Sequence, residues 1–276
     1  MFDNGILQYY RNLPLKNGYL QIDKNVHENK SVAMDCINSK LYKVDIAEVG
    51  SFFAKACPEG LVEAEVLMGQ LYTKAGINSA IYLPVYSDKI GQMVVSQDVR
   101  DKNGIYAKEY NGEHKFIDVA YLGNDWHSKY SKEKRDKLMS PQASANLLLK
   151  RCLDISCRNC DGHSGNITLS LKDGVITDIG SFDYGSCDLI STPETFVFFH
   201  NDFCKKYLTK EHFVEQFKNN GEAQAYITPE QVGEIIGNLD VLETARDIKE
   251  TLGLEIHKTD MFARCFNDMA EELVHI

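Results

Sequence analysis

The stretch Arg158-Asn159-Cys160-Asp161-Gly162-His163-Ser164-Gly165-Asn166 runs straight into Ile167-Thr168-Leu169. Upstream, Ser140-Pro141 has the signature of a helix start, with Ser as N-cap and Pro in the first turn, and the helix is predicted to run to about Ile155. Downstream, Ile167–Leu171 and Val175–Thr177 read as two short strands around a turn at Lys172-Asp173-Gly174. A helix therefore ends, a polar loop presents Asp161, and Asn166 opens a strand five residues later. Two readings fit this loop alone. Asp, Gly and Asn are ordinary turn formers. An acid and an amide so spaced also suit phosphoryl transfer, in which a carboxylate accepts the proton of an attacking hydroxyl and a neutral oxygen helps hold Mg²⁺.

The rest of the chain weighs on that choice. Asp and Asn five apart in one loop is the spacing of the kinase catalytic loop. Ser181-Phe182-Asp183-Tyr184-Gly185 places an acid after a short strand, where a second metal carboxylate is wanted. Lys55 lies within the apolar Phe52-Phe53-Ala54-Lys55-Ala56, where a lysine either snorkels at an edge or meets an anion. Leu61–Ala75 reads as a helix stopped by Gly76. At about 100° per residue, Glu65 shares its apolar face with Leu61, Met68 and Tyr72, while Glu63 falls on the opposite side. A carboxylate on a buried face is costly unless paired, so Lys55–Glu65 is the expected pair. Structural alternatives exist for both: a rim glutamate and a solvated lysine.

The remaining organisation is strands first, helices later. Lys40–Glu48 and Phe52–Ala56 are expected to form a hairpin turning at Gly50-Ser51, with Ser31–Cys36 beside it. Ala80–Val85 and Gln92–Val95 read as further strands, and residues 100–135 as loop-rich. Helical pieces are expected near Thr192–Lys206, Lys210–Asn219, Pro229–Asn238, Asp240–Leu252 and Thr259–Val274. The predicted class is a two-lobed α+β fold. Residues 1–97 form a small antiparallel-sheet N-lobe with the one helix 61–75. Residues 98–276 form a mainly helical C-lobe holding the catalytic loop 158–166, the metal motif 181–185 and the helices of 192–276.

Composition sets limits. The 276 residues carry 30 Lys+Arg against 40 Asp+Glu, a net charge of −10, which disfavours general binding to nucleic acid or an anionic membrane. No run of about 18 apolar residues is present, so membrane insertion is not expected. Met1-Phe2-Asp3-Asn4-Gly5 lacks the features of a signal peptide. The eight cysteines are expected to be buried thiols of a reducing compartment. Cys157-x-x-Cys160, with Cys152 and His163 nearby, also admits a zinc reading, but a second close pair is missing.

With these residues in view, the chain resembles protein-kinase-like folds, and most closely the HipA-type kinase family. Asn159-Cys160-Asp161-Gly162-His163-Ser164-Gly165-Asn166 resembles that family's N-x-D-x-H-x-x-N loop. Ile179-Gly180-Ser181-Phe182-Asp183 resembles its strand, turn, aromatic and metal aspartate, and Glu65–Ile77 resembles its acidic-residue helix ending in Ala-Gly-Ile. The likeness covers roughly residues 30–190. It implies Asp161 as catalytic aspartate, Asn166 and Asp183 as Mg²⁺ ligands, Lys55 on the phosphates of ATP and Glu65 orienting Lys55. It further implies transfer of the ATP γ-phosphoryl to a Ser or Thr hydroxyl of a protein substrate, with autophosphorylation as an option. The expected location is a bacterial cytoplasm, with export as an effector left open.

The sequence also departs from the family. The chain lacks the long N-terminal extension of full HipA toxins, so partner binding through it is not expected. No Gly-rich phosphate loop is present; Ile37-Asn38-Ser39-Lys40 is its nearest substitute, with Ser39 and Lys40 near phosphate. The proline usual before the metal aspartate is Gly180. Asp178-Ile179-Gly180 is a second metal candidate, resembling the Asp-Phe-Gly of phosphoinositide kinases. The hinge is expected after Met93-Val94-Val95, with Met93 guarding the rear of the nucleotide pocket and the backbone of Ser96–Asp98 facing adenine. Alternative functions are a phosphoinositide or small-molecule kinase, or a weak pseudokinase serving as a nucleotide-binding scaffold.

Overall fold

A computed structural model of the chain describes residues 15–16, 19–21, 26–28, 41–46, 50–57, 61–88, 90–100, 104–107, 132–157, 159, 164–185 and 210–274. Seven strands make the first sheet: β1 (Leu15–Lys16), β2 (Tyr19–Gln21), β3 (Val26–Glu28), β4 (Leu41–Ile46), β5 (Gly50–Ala56), β7 (Tyr82–Ser87) and β8 (Gly91–Ser96), in the order β1-β2-β7-β8-β5-β4-β3. β6 (Asn78–Ser79), β11 (Val175–Ser181), β10 (Ile167–Lys172) and β9 (Gly104–Tyr106) make a second, four-stranded sheet in that order.

The β4–β5 hairpin pairs Ile46 with Gly50 and Asp45 with Ser51. Gly50-Ser51, expected as the turn, is therefore the opening of β5. Glycine tolerates extended backbone as readily as a turn, and the pairing register decided which it adopts. β3 pairs antiparallel with β4, Glu28 opposite Tyr42, so residues 29–40 connect two neighbouring strands. Ser31–Cys36, Ser39 and Lys40 fall in that connection, outside the described residues. β1 to β3 were not expected; at two or three residues each they are too short to show a period of two.

Helix α1 (Leu61–Lys74) closes as the sequence predicts. Gly76 takes φ 89°, its N–H reaching the Thr73 carbonyl at 3.0 Å, and the Ile77 N–H reaches the Tyr72 carbonyl at 3.0 Å, a Schellman closure. α1 packs against β7 and β8 on one side. The approach to the following chain is close: a Cβ on Gly69 would lie 2.3 Å from the Ala80 carbonyl oxygen, which requires glycine there.

Helix α2 (Lys132–Leu138) precedes α3 (Pro141–Ser156), whose N-cap Ser140 accepts the Ala143 N–H at 3.1 Å. α3 is buried from Ala143 to Ser156 and lies on β11. The β10–β11 hairpin turns through Asp173 (φ 52°) and Gly174 (φ 79°), the left-handed pair of a two-residue loop. β11 continues to Ser181, four residues past the predicted end, because it pairs with β10 along its whole length, to Ile167 opposite Ser181, and gains β6 as a parallel partner at Gly180 and Ser181.

Among the described residues of the C-terminal part, α4 (Lys210–Lys218), α6 (Pro229–Gly237), α7 (Val241–Leu252) and α8 (Thr259–Val274) follow the predicted helices, with a capping box at Thr228 and Gln231 and an Asp240 N-cap, and a short α5 (Gly221–Gln224) that was not expected lies between α4 and α6. Thr192–Lys206 lies outside the described residues. α7 packs on the face of α1 away from the sheet, so α1 is enclosed from both sides. No described helix is long and apolar enough to cross a membrane.

Candidate active site

Three charged side chains from distant parts of the chain converge between the two sheets. Lys55, on β5 opposite Val94, places Nζ 2.9 Å from Glu65 Oε1 on α1, and the same ammonium contacts Asp183 Oδ1 just beyond β11. Glu65 is wholly buried, while Lys55 and Asp183 keep 15% and 24% side-chain exposure, so the cluster opens on the Lys55–Asp183 side. The other Glu65 oxygen, Oε2, accepts the Tyr184 N–H at 2.8 Å. The Asp183 N–H donates to the Tyr82 hydroxyl at 2.9 Å. Asp183 stands at φ 63°, a left-handed conformation that Asp tolerates better than most residues and that marks a locally constrained position.

Glycine follows for a reason of space. A Cβ on Gly185 would sit 3.1 Å from both Glu65 Oε1 and Lys55 Nζ. The Tyr184 ring turns inward, 4.7 Å from the Tyr72 ring and edge-on to Tyr82, and its hydroxyl lies 2.6 Å from Ser79 Oγ.

The electrostatics follow from burial and charge. Burial by itself would depress the Lys55 pKa, but the Glu65 and Asp183 carboxylates outweigh it and hold the ammonium well above its ordinary value. Burial raises the Glu65 carboxyl, against the opposing pull of Lys55 and the Tyr184 N–H. The Cys57 thiol, two residues beyond Lys55, is pushed up to about 12, first by burial and then by Glu65. Burial also raises the Tyr82 and Tyr184 phenols well above their ordinary values. The cluster thus holds one cation between two carboxylates, lined by neutral hydroxyls.

Asn166 ends the short 3₁₀ turn Ser164–Asn166. Its carbonyl accepts the Phe182 N–H at 3.2 Å, and Ile167 pairs with Ser181, so Asn166 lies across from the residue preceding Asp183. An amide and a carboxylate at the open end of one hairpin are a hard-oxygen donor set that fits Mg²⁺. Asp161 lies outside the described residues. Asn159, two residues earlier in the chain, is buried.

Asp178, the other metal candidate, is part of β11. Its Oδ1 accepts the Asn146 amide of α3 at 2.8 Å and the Ile179 N–H at 2.8 Å. It joins α3 to the second sheet, whereas Asp183 joins the Lys55 cluster.

Met93 is fully buried on β8, opposite Ala56 and next to Val94, the cross-strand partner of Lys55. Ser96 ends β8 between Phe53 and Tyr82. Beyond the strand, the Asp98 carboxylate accepts the Arg100 backbone N–H at 3.0 Å and its Nε at 2.9 Å. Although partial burial opposes it, Arg100 holds the Asp98 carboxyl below its ordinary value. Ser39 and Lys40 cannot be placed relative to the cluster, because they fall outside the described residues.

Tyr82, Tyr184 and Tyr72 were not expected to line the site. Tyr184 had a signal, since it lies between Asp183 and Gly185 in the quoted motif. Tyr82 had none, because its partner is 101 residues away. Cys57, Cys152, Cys157 and Cys265 are thiols. Cys157 Sγ lies 3.6 Å from the Asp154 carbonyl and from the Tyr72 hydroxyl, within a polar network of α3.

The proinflammatory kinase CtkA of Helicobacter pylori superposes with a TM-score of 0.50 at 13% identity, covering 94% of this chain and 99% of that one. HipA of Shewanella oneidensis, solved with HipB and operator DNA, gives 0.42 at 12% identity over 100% of this chain and 70% of that one. A choline/ethanolamine kinase family protein of Mesorhizobium loti gives 0.29 at 10% identity over 99% and 95%. No protein-family model matches the chain, and no curated protein does. The chain shares the α+β, two-lobed, protein-kinase-like fold of CtkA.

Proposed function

We propose that the chain is an ATP-dependent phosphotransferase, a HipA-like serine/threonine kinase that moves the γ-phosphoryl of ATP to a protein hydroxyl. The observation that carries this reading is the convergence of Lys55, Glu65 and Asp183 at one opening beside the hairpin end that bears Asn166. A fold shared with CtkA, described as a proinflammatory kinase, supports the same class.

In this reading Lys55, oriented by Glu65, binds the α and β phosphates. Asn166 and Asp183 are the residues that would hold Mg²⁺. Bound Mg–ATP supplies the transferable phosphoryl group and screens its charge. Asp161 orients the acceptor hydroxyl and takes its proton as the new P–O bond forms and the bond to the β-phosphate oxygen breaks. The protein contributes positioning and electrostatics. Adenine is held by backbone at Ser96–Asp98, with Met93 behind it. Ser39 and Lys40 lie near phosphate, and the substrate is a protein, with no direct binding of nucleic acid.

The test is incubation of the purified chain with Mg²⁺ and labelled ATP, with and without generic protein acceptors, followed by mass-spectrometric mapping. Autophosphorylation sites, Ser39 among those to inspect, are the expected product. Asp161→Ala should abolish transfer and keep ATP binding, whereas Asp183→Ala should also lose Mg²⁺-dependent binding. A fully active Asp161→Ala protein would contradict the assignment. Neither thermal shift with Mg–ATP nor transfer would leave a non-catalytic scaffold.

A further inference from the structure

Away from the Lys55 cluster, α3 carries a second lysine–carboxylate pair with no place in the reaction described above. Lys150 Nζ is 2.7 Å from Asp154 Oδ2, and both side chains are essentially inaccessible, at 1% and 0% exposure. The other oxygen, Asp154 Oδ1, accepts the Tyr72 hydroxyl at 2.7 Å and the Asn159 side-chain amide at 2.8 Å. The Asn159 backbone N–H closes on the Asp154 carbonyl at 2.7 Å.

These partners belong to different working parts. Tyr72 is on α1, about two turns beyond Glu65 and on the same face. Its ring lies on Tyr184, whose backbone N–H holds Glu65. Asn159 stands two residues before Asp161 in the chain. One carboxylate oxygen therefore ties the helix that orients Lys55 to the segment that carries the proposed catalytic acid.

We infer that Asp154 is a positioning residue: it ties Asn159, two residues before Asp161 in the chain, to Tyr72 on the Glu65 helix, so that both halves of the proposed site keep one geometry. This rests on the phosphotransferase reading. A buried carboxylate is tolerated when it is paired and its acceptor sites are filled, and such a network is stiff because any departure leaves charge unsatisfied. Local fold stability alone would be served by Lys150; the bonds to Tyr72 and Asn159 reach outside α3.

The discriminating variant is Tyr72→Phe, which keeps the ring against Tyr184 and removes only the hydroxyl. Asp154→Asn serves as the second. Each is compared with the unmodified chain by thermal melting, steady-state transfer and hydrogen exchange resolved to peptides 61–74 and 159–167. Displacement of a catalytic group by a fraction of an ångström predicts kcat lowered about tenfold with KM for ATP within about twofold. Exchange should quicken in both peptides and stay unchanged in α6–α8. A purely structural role would lower the melting temperature while the folded protein kept its kcat. Unchanged kcat, or unchanged exchange at 159–167, in a folded Tyr72→Phe protein overturns the inference. If the unmodified chain transfers no phosphoryl group, the functional reading fails, and the exchange result still decides whether Asp154 couples the two segments.

Discussion

Among the described residues, Lys150 and Lys55 meet carboxylates in the interior, and they are not equivalent. Lys150 has Asp154 in a fully buried site where the same carboxylate is also bonded by Tyr72 and Asn159. Lys55 stands between Glu65 and Asp183, retains 15% exposure, and faces more negative than positive charge. The first arrangement is saturated by protein groups. The second keeps an accessible side and a residue with left-handed backbone, Asp183 at φ 63°. A buried pair with its hydrogen-bond sites filled supports geometry, whereas a partly open cluster has capacity to engage a ligand.

Breaking the pairs should separate their roles. The largest effect on stability is expected from Lys150→Met, which leaves Asp154 buried without its ammonium and should cost about 3–5 kcal/mol in denaturant unfolding. A loss well under about 1 kcal/mol would show that the buried pair behaves like a surface one. Lys55→Met should cost less stability, about 1–3 kcal/mol, because Glu65 keeps the Tyr184 N–H and can take up a proton. Phosphoryl transfer should nevertheless fall by about 100-fold or more. Transfer at the unmodified rate would remove Lys55 from the site.

Smaller changes sharpen the comparison. Gly185→Ala introduces a Cβ 3.1 Å from both members of the Lys55–Glu65 pair. It should lower kcat/KM about tenfold while leaving the melting temperature nearly unchanged. Full activity would show that the pair tolerates displacement.

The smallest effect belongs to the exposed His257, whose Nδ1 is 2.8 Å from Glu63 Oε1 and whose backbone N–H reaches Oε2 at 2.7 Å. Hydrogen bonding to Glu63, and then its charge, raises the His257 pKa above 6.5. Folding therefore binds a proton there. The stabilisation is complete below 6.5 and lost as pH rises through the higher folded-state value. His257→Gln should reduce the fall in melting temperature between mildly acidic and mildly alkaline buffer by about a degree. An unchanged pH profile would show that this bridge contributes nothing measurable.

Much of the molecule was legible as sequence, and for local reasons. Ser140-Pro141, Gly76, Asp173-Gly174 and Asp240 announce element ends through capping and turn chemistry acting over a few residues. Glu65 was expected on the buried face of α1 from helical spacing alone, and it is buried there. Glu63, expected on the opposite side, faces the C-terminal segment through His257. The failures were equally physical. Gly50-Ser51 reads as a turn until cross-strand pairing makes it part of β5, and β11 outruns its own sequence signal because β10 pairs with it to Ser181 and β6 joins at its end.

The chain by itself determined the order of its chemistry: a lysine in an apolar strand, an acid on the following helix, an Asp-to-Asn loop, and a later acid before Tyr-Gly. It also determined the helix ends, since caps and periodicity depend on near neighbours. Only the tertiary structure decided that Asp183 meets Lys55 while Asp178 is taken by Asn146, and that Tyr72 and Asn159 share one oxygen of Asp154. Those partners are 128 residues apart for Lys55 and Asp183 and 82 apart for Tyr72 and Asp154. Contacts at such separations are set by how the two sheets and α3 pack together, and packing is a property of the whole core that no short stretch encodes.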